Sequence, residues 1–151
     1  MQILIDADAC PVKDEVYKVA KRYGIPVTLV ANAGMYAPKA SWLELIIVKQ
    51  GANVADDLIA EKATAKDIVI TADIPLASRC LEKGAAVLDH RGGEFTRENI
   101  GSILAGREVG EHLRAAGVET KGPRPFDKQA RSNFLQTFDQ VIQKRRRSSG
   151  R

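Results

Sequence analysis

The chain has 151 residues, of which 44% are hydrophobic and 28% are charged, and its formal net charge is +4. A chain of this length buries about two-thirds of its unfolded surface in one core, which favours one globular domain and excludes a cofactor domain joined to a separate substrate domain. No apolar run approaches the roughly 20 residues that span a bilayer, and the sequence begins without a basic leader, so we expect a cytoplasmic protein with no membrane partner.

Short apolar runs alternate with segments of helical periodicity, which predicts βαβ units on a mainly parallel sheet. The predicted strands are residues 2–6, 27–31, 45–48, 67–71 and 86–88. The predicted helices are residues 11–23, 53–63 and 74–83, one or two helices between 96 and 116, and a last helix over 127–146. The expected fold class is α/β: a three-layer α/β/α sandwich with a mainly parallel sheet of about five strands, plus a C-terminal helix.

The C-terminal part of the chain departs from this alternation. Glycine and proline residues in the segment 117–126 exclude regular structure there. We therefore expect an α/β domain over residues 1–119, a linker over 120–127, and a C-terminal helix with a basic tail over 128–151. The apolar stripe of that helix must pack either on the domain or on a second subunit, so a homodimer stays open, while no protein partner can be inferred.

The positive charge is concentrated at the C-terminal end. Five positive charges lie in the last eight residues, which leaves a formal charge of −1 for residues 1–143. Such an end can add non-specific affinity for a polyanion such as RNA. The competing interpretation is a solvated tail that aids solubility.

Carboxylates follow two of the predicted strands. Asp6 and Asp8 come directly after the first strand, and Asp73 comes after the fourth. In open α/β sheets, ligands bind at the carboxyl ends of the strands where the strand order reverses, so these acids converge if strands one and four are neighbours. Asp56 and Asp57 open a helix, where negative charge suits the helix dipole, and that helix could aim one of them at the same crevice.

Acids that lie side by side cannot all stay ionised without a cation, because each negative charge raises the pKa of the others. Carboxylate oxygens suit Mg²⁺ or Mn²⁺, which complete their coordination shells with water and substrate phosphate. The five acids therefore predict a metal-assisted phosphoryl-transfer site, with Asp6 and Asp73 as its catalytic residues. The competing interpretation is that Asp8 and Asp73 are N-caps of the helices that follow them.

Two further features have both a functional and a packing interpretation. Cys10 precedes a helix, where a thiol can become nucleophilic, but no arginine follows in the same loop, so we expect a packed, reduced cysteine. Cys10 and Cys80 are also too few for a disulfide framework. Trp42 and Tyr36 form either an exposed surface on which a base can stack or part of the packing of a loop.

Several motifs, in order along the chain, resemble the bacterial YaiI/YqxD family. They are Ile-Asp-Ala-Asp-Ala-Cys-Pro-Val from residue 5, Leu-Val-Ala-Asn from residue 29, Val-Ala-Asp-Asp from residue 54, Ile-Thr-Ala-Asp-Ile-Pro-Leu-Ala from residue 70, and Arg91-Gly92 with Asn99-Ile100. The resemblance extends to about Phe126. This family is grouped with the PIN-like nucleases, which implies a PIN-like α/β/α fold that gathers acids around Mg²⁺ or Mn²⁺ to cleave RNA.

The resemblance also implies roles for individual acids. The acid that ends strand one is Asp6, the acid that opens the central helix is Asp56 or Asp57, and the acid of the Thr-x-Asp element is Asp73. Asp8 has no assured counterpart in the PIN-like pattern.

Four other polar residues are candidate substrate contacts. Asn32 and Thr71 stand in the matching motifs, at the ends of strands two and four. Lys83 and Arg91 could bind a phosphate, and Arg91 lies in a turn after the fifth strand. The competing interpretation of Lys83 is a solvated helix residue.

Three functions remain open. The leading hypothesis is a metal-dependent ribonuclease in which the cation activates a water and the basic end holds the polyanion. The first alternative is a non-catalytic RNA-binding or regulatory module whose acids bind a structural cation or none. The second is an aspartyl-phosphate phosphatase of the haloacid dehalogenase type, for which Asp6 and Asp8 resemble the nucleophile and acid and Thr71 and Lys83 the next two motifs. The Asp56-Asp57 pair, however, precedes Thr71 rather than following the lysine.

Overall fold

The computed structural model describes residues 1–49, 51, 53–115 and 125–148 of the chain. The strands of the described part are β1 (Ile3–Asp6), β2 (Val27–Ala31), β3 (Leu43–Ile47), β4 (Ile68–Ile70), β5 (Ala86–Leu88) and β6 (Glu94–Phe95). Its α-helices are α1 (Lys13–Tyr23), α2 (Val54–Lys62), α3 (Ile74–Glu82), α4 (Arg97–Ala115) and α5 (Lys128–Ser148), and a one-turn 3-10 helix, Ala7–Ala9, follows β1. No helix in these residues is long and apolar enough to cross a membrane.

All six strands form one sheet in the order β3-β2-β1-β4-β5-β6. The first five are parallel to their neighbours, and β6 is antiparallel to β5. The strand order reverses between β1 and β4, which pair directly from Ile3 with Ile68 to Ile5 with Ile70. The prediction of a mainly parallel α/β sheet is confirmed, and strands one and four are the neighbours that the convergence of acids requires.

The central strands are buried on both faces, as their nearly continuous apolar sequences indicate. Because successive side chains of a strand point to opposite faces, Ile3 and Ile5 join one core cluster and Leu4 joins the other. The first cluster lies under α1 and α5, and the second lies under α2 and α3. These helices form the two outer layers of the α/β/α sandwich.

The C-terminal helix α5 belongs to the core of the domain. Phe134, Phe138 and Ile142 on its apolar stripe are fully buried in the cluster that contains β1. At its polar margin, Arg131 pairs with Glu15 of α1 at an N–O distance of 2.7 Å. The structure therefore shows the first of the two predicted arrangements, in which the apolar stripe of α5 packs on the domain itself.

Two elements differ from the sequence prediction. The third strand begins at Leu43 rather than Leu45, because Val27 N–H donates to the carbonyl of Trp42 and extends the ladder at that end. The short strand β6 was not predicted, because two residues are too few to show a periodicity. It follows a tight turn in which the Asp89 carboxylate accepts hydrogen bonds from the N–H groups of Arg91 and Gly93. The predicted linker over 120–127 lies largely outside the described residues and stays a prediction.

Gly92 offers a test of how this turn contacts α5. Its φ is +88°, and a Cβ atom there would lie 2.6 Å from the Asn133 carbonyl oxygen. We expect Gly92→Ala to lower the free energy of unfolding by about 1–3 kcal/mol, because the backbone would be strained and the helix displaced. Urea unfolding measures the effect.

Gly101 is the matched control, since it lies inside α4 and an added Cβ would have no atom within 4 Å apart from the nearby backbone of its own helix. Gly101→Ala should raise the free energy of unfolding by roughly 0.5–1 kcal/mol. Equal effects of the two substitutions would contradict the contact between the turn and α5.

Candidate active site

The predicted acids lie along the carboxyl edge of the sheet. Asp6 ends β1, and Asp73 follows the neighbouring strand β4 and begins α3. Asp56 and Asp57 lie in the first turn of α2. Since parallel strands end at one edge and the helices that follow them begin there, this topology collects acids from three separate segments of sequence at the point where the strand order reverses.

Thr71 connects the two strand-end acids. Its hydroxyl donates a hydrogen bond of 2.9 Å to Oδ2 of Asp6 and accepts one of 3.0 Å from the N–H of Asp73. Thr71 is 3% exposed. The hydroxyl therefore orients the Asp6 carboxylate against β4, and a direct contact of Thr71 with substrate stays a prediction.

Asp73 also caps α3. Its Oδ1 accepts a hydrogen bond of 2.9 Å from the N–H of Leu76. The helix-cap interpretation of Asp73 is thus confirmed. The cap uses one oxygen of the carboxylate, so the other oxygen can still serve as a metal ligand.

Burial and mutual repulsion act on the charges of this group. Burial raises the pKa of Asp6, and the negative charges of Asp73 and Asp8 raise it further against the opposing hydrogen bond from Thr71. Burial likewise raises the pKa of Asp56, with Asp73 and Asp6 adding to the effect and Arg79 opposing it. Asp6, Asp56 and Asp73 therefore interact electrostatically, and together they form the acidic group of the site.

The other two acids are held by separate partners. The Asp8 carboxylate accepts hydrogen bonds from the backbone N–H of Asn32 at 3.0 Å and from its Nδ2 at 2.9 Å. It ties the segment after β1 to the end of β2 and does not cap α1, whose N-cap residue is Val12, so the cap interpretation of Asp8 is wrong. Asp57 pairs with Arg79 of α3 at 2.7 Å, and both side chains are exposed.

Sequence reasoning missed Arg79. Its contact with Asp57 depends on how α2 and α3 pack side by side, and no local pattern of residues carries that information.

The remaining candidate contacts are divided between the two edges of the sheet. Asn32 and Arg91 follow β2 and β5 on the carboxyl edge, on either side of the acids. Lys83 stands at the opposite end of α3 from Asp73, about 15 Å along the helix. Its Nζ lies 3.5 Å from the carbonyl oxygen of Glu61. The structure does not bring Lys83 together with the acids, because α3 returns the chain to the amino edge of the sheet.

The basic end of α5 also lies on the amino edge. Arg145 donates hydrogen bonds to the carbonyls of Ala65 and Gly84, which precede β4 and β5 respectively. Arg146 lies over the ring of Tyr23, at the end of α1 and before β2. The sheet therefore separates these arginines from the acidic group.

The donor atoms of the acidic group suit a hard cation, since carboxylate oxygens are the ligands that Mg²⁺ and Mn²⁺ prefer. Their present positions are less suited, because no three or more His, Cys, Asp or Glu side chains within the described ranges are arranged to hold a metal ion. Asp6 turns one oxygen to Thr71 and Asp73 turns one to the end of α3. A cation would therefore require side-chain rotation in this group.

Comparison with known proteins gives consistent matches over the whole chain. The family model described as "Uncharacterized BCR, YaiI/YqxD family" matches residues 4–144. A protein named "UPF0178 protein" from Caulobacter sp. (strain K31) is 52% identical over 145 residues, which cover 96% of both chains. Proteins of the same name from Nitrobacter winogradskyi and Parvibaculum lavamentivorans are each 49% identical and cover 98% and 97% of this chain and 94% and 96% of their own lengths. No solved structure gives a significant match.

The half-buried Asp6 and the buried Asp67 make opposite predictions for stability. We expect Asp6→Asn to raise the free energy of unfolding at pH 7 in the presence of a chelator, because it removes a charge that burial and neighbouring acids disfavour. The gain should shrink as the pH falls through the raised pKa of Asp6, since the wild-type carboxyl is then neutral in the folded state. Urea unfolding at several pH values measures this dependence.

Asp67 is the matched control, since it is 3% exposed and its carboxylate accepts hydrogen bonds from Gln2 and Thr64. Asp67→Asn should lower the free energy of unfolding by about 1–3 kcal/mol, because the amide offers one acceptor oxygen instead of two. A loss of stability in both variants would show that the charge of Asp6 does not destabilise the folded protein.

Proposed function

The chain belongs to the YaiI/YqxD family, and we propose that it is a divalent-metal-dependent nuclease of the PIN-like type that hydrolyses RNA phosphodiester bonds. The observation that carries the proposal is the electrostatic group formed by Asp6, Asp56 and Asp73 at the reversal of the strand order. The fold brings these three carboxyl groups together although burial and mutual repulsion disfavour their negative charges. A bound cation would remove that repulsion.

Each acid has a role in this proposal. Asp6, Asp56 and Asp73 would hold Mg²⁺ or Mn²⁺, and Asp73 can keep one oxygen in its cap of α3 while the other turns to the ion. The bound cation would activate a water molecule and offset negative charge on the scissile phosphate. Thr71 acts as a positioning residue, because its hydroxyl fixes one oxygen of Asp6.

The predicted roles of Asp8 and Asp57 as ligands require more rearrangement. Asp8 would have to release Asn32, and Asp57 would have to release Arg79. We therefore propose that both support the group from outside it. Arg91, on the same edge as the acids, is better situated than Lys83 to contact a phosphate.

The alternatives are supported to different degrees. A non-catalytic RNA-binding module is favoured by the basic residues at the end of α5 and by the lack of a ready ligand cluster among the described side chains. An aspartyl-phosphate phosphatase needs its lysine beside the nucleophile. Asp6 lies at the carboxyl edge of the sheet and Lys83 at the amino edge, which argues against this function.

Cleavage of single-stranded RNA tests the nuclease directly. We expect the purified protein to cut end-labelled RNA in the presence of Mn²⁺ and to lose this activity with a chelator. Asp73→Asn should reduce the rate at least about 100-fold through loss of a cation ligand, while the fold is kept because asparagine is also a good N-cap. Glu61→Gln, at the exposed end of α2, is the matched control and should cut at the wild-type rate.

Cation binding can be measured without any substrate. Saturating Mn²⁺ should raise the thermal unfolding temperature of the wild type and of Glu61→Gln, with about 2.7 kcal/mol of stabilisation at 100 times the dissociation constant. Asp73→Asn should show much less stabilisation at the same concentration. Absence of both stabilisation and cleavage, with RNA binding retained, would replace the nuclease by the binding module.

A further inference from the structure

A small cleft lies near Asp6, whose charge acts on the Cys10 thiol in its wall. It has a volume of about 250 Å³ and is lined by Cys10, Pro11, Lys13, Asp14, Tyr17, Tyr36 and Pro38. Cys10 follows the 3-10 turn after Asp6, and Tyr36 lies in the loop that follows β2. The cleft is therefore built from the segments that leave the carboxyl ends of β1 and β2, next to the strand that carries Asp6.

Tyr17, in the wall of this cleft, carries a polar atom without a partner. The residue is 9% exposed, and its hydroxyl is buried without a hydrogen-bond partner among the described residues. Burial raises the pKa of Tyr17 to about 12, so the hydroxyl keeps its proton and remains a donor at neutral pH. Buried polar groups in folded proteins are nearly always paired, so an unpaired donor that lines a cleft indicates a missing acceptor.

The mouth of the cleft carries an exposed aromatic ring. Tyr36 is 87% exposed, the highest value among the large hydrophobic side chains described. Trp42, its predicted companion as a stacking surface, is instead half-buried and packs edge-on against Tyr17 with ring centroids 5.9 Å apart. The two aromatic residues therefore have different roles: Tyr36 is free to stack, and Trp42 supports Tyr17 from within.

The cleft also has a charged rim. Nζ of Lys13 donates a hydrogen bond of 2.8 Å to the carbonyl of Cys10, which holds the ammonium group at the edge of the cleft. Burial raises the pKa of the Cys10 thiol, which is therefore protonated and acts as a packed wall rather than as a nucleophile. The lining also includes the carboxylate of Asp14, so a phosphate is favoured only on the Lys13 side of the cleft, and the apolar wall suits a planar ring.

A second cleft among the described residues lacks this combination of groups. A cleft of equal volume beside Arg145 is lined by Ala65, Lys66 and Ser148, and none of its side chains is a buried polar group without a partner. A volume of 250 Å³ is below the range of about 300–1,000 Å³ found for drug-sized ligands, so the occupant is small. A single base fits that limit.

We propose that this cleft binds one nucleobase of a single-stranded RNA, with the base stacked on Tyr36. The side chains that cover the Tyr17 hydroxyl move aside as the base enters, and the base accepts a hydrogen bond from it. The phosphate attached to that nucleotide lies against Lys13. The choice of RNA rests on the proposed function, and a base held in the cleft near Asp6 would fix the register of the RNA strand at the site. Aromatic stacking tolerates every base, so the contact gives affinity with modest sequence preference.

Trp42 provides the measurement, since it is the one tryptophan of the chain and contacts Tyr17. The four nucleoside 5′-monophosphates are titrated into the protein in the presence of a chelator, and tryptophan emission is followed. We expect a saturable change for at least one nucleotide and none for ribose 5-phosphate, which lacks a base. Tyr36→Ala should weaken binding at least about fivefold, and Tyr36→Phe, which keeps the ring, should bind as the wild type does.

Tyr17→Phe separates binding from folding. It should weaken nucleotide binding roughly two- to tenfold through loss of one hydrogen bond, yet unfold at the same or a higher temperature, because the unpaired hydroxyl is removed. Lack of a saturable change with all four nucleotides, confirmed by equilibrium dialysis, would overturn the proposal. Equal binding of ribose 5-phosphate, unaffected by Tyr36→Ala, would overturn it in favour of a phosphate site.

The chelator keeps this test independent of the nuclease. Binding without cleavage in the Mn²⁺ assay would leave the cleft in place and reject the enzyme. Cleavage without nucleotide binding would reject the cleft and leave the enzyme in place.

Discussion

The direct pairing of β1 with β4 is the contact on which the candidate site depends. These strands are adjacent in the sheet but separated by two other strands in the sequence, and their pairing ends with Ile5 beside Ile70. The next residues of each chain segment, Asp6 and Thr71, therefore emerge together and form a hydrogen bond. Both strands are covered on each face, by α1 and α5 on one side and by α2 and α3 on the other, so their register is fixed by apolar packing.

That packing holds groups that repel one another. Asp6 and Asp56 have raised pKa values because the surrounding core restricts water and because neighbouring acids add negative charge. Asp67, on the other edge of the same sheet, shows how a buried carboxylate is accommodated when its role is structural: the N–H groups of Gln2 and Thr64 both donate to it. The difference lies in the partners: the structural acid accepts hydrogen bonds from several donors, whereas each candidate site acid also faces other acids.

The sequence was sufficient to predict the sheet, most helix positions and the edge at which the acids collect. Buried strands have continuous apolar runs, and Asp73 directly follows one of them, so the strand-end position of this acid is visible in the pattern of residues. What could not be predicted are contacts made between elements distant in sequence. The bonds of Asp8 to Asn32 and of Asp57 to Arg79 are of this kind, as is the unpaired hydroxyl of Tyr17 inside an otherwise apolar helix face.

The direction in which α5 docks has an electrical consequence. The helices α1 and α2 begin with acids at the carboxyl edge and end with Lys21, Arg22 and Lys62 at the amino edge, and α5 adds Arg145, Arg146 and Arg147 to that same edge. These charges contribute to a dipole moment across the sheet, with its positive end at the amino edge. The field of an approaching polyanion exerts a torque that turns the amino edge toward it and the acids away. In the proposed nuclease, first capture of the RNA and reaction at the acids would therefore involve opposite edges of the sheet, and salt would weaken the first more than the second.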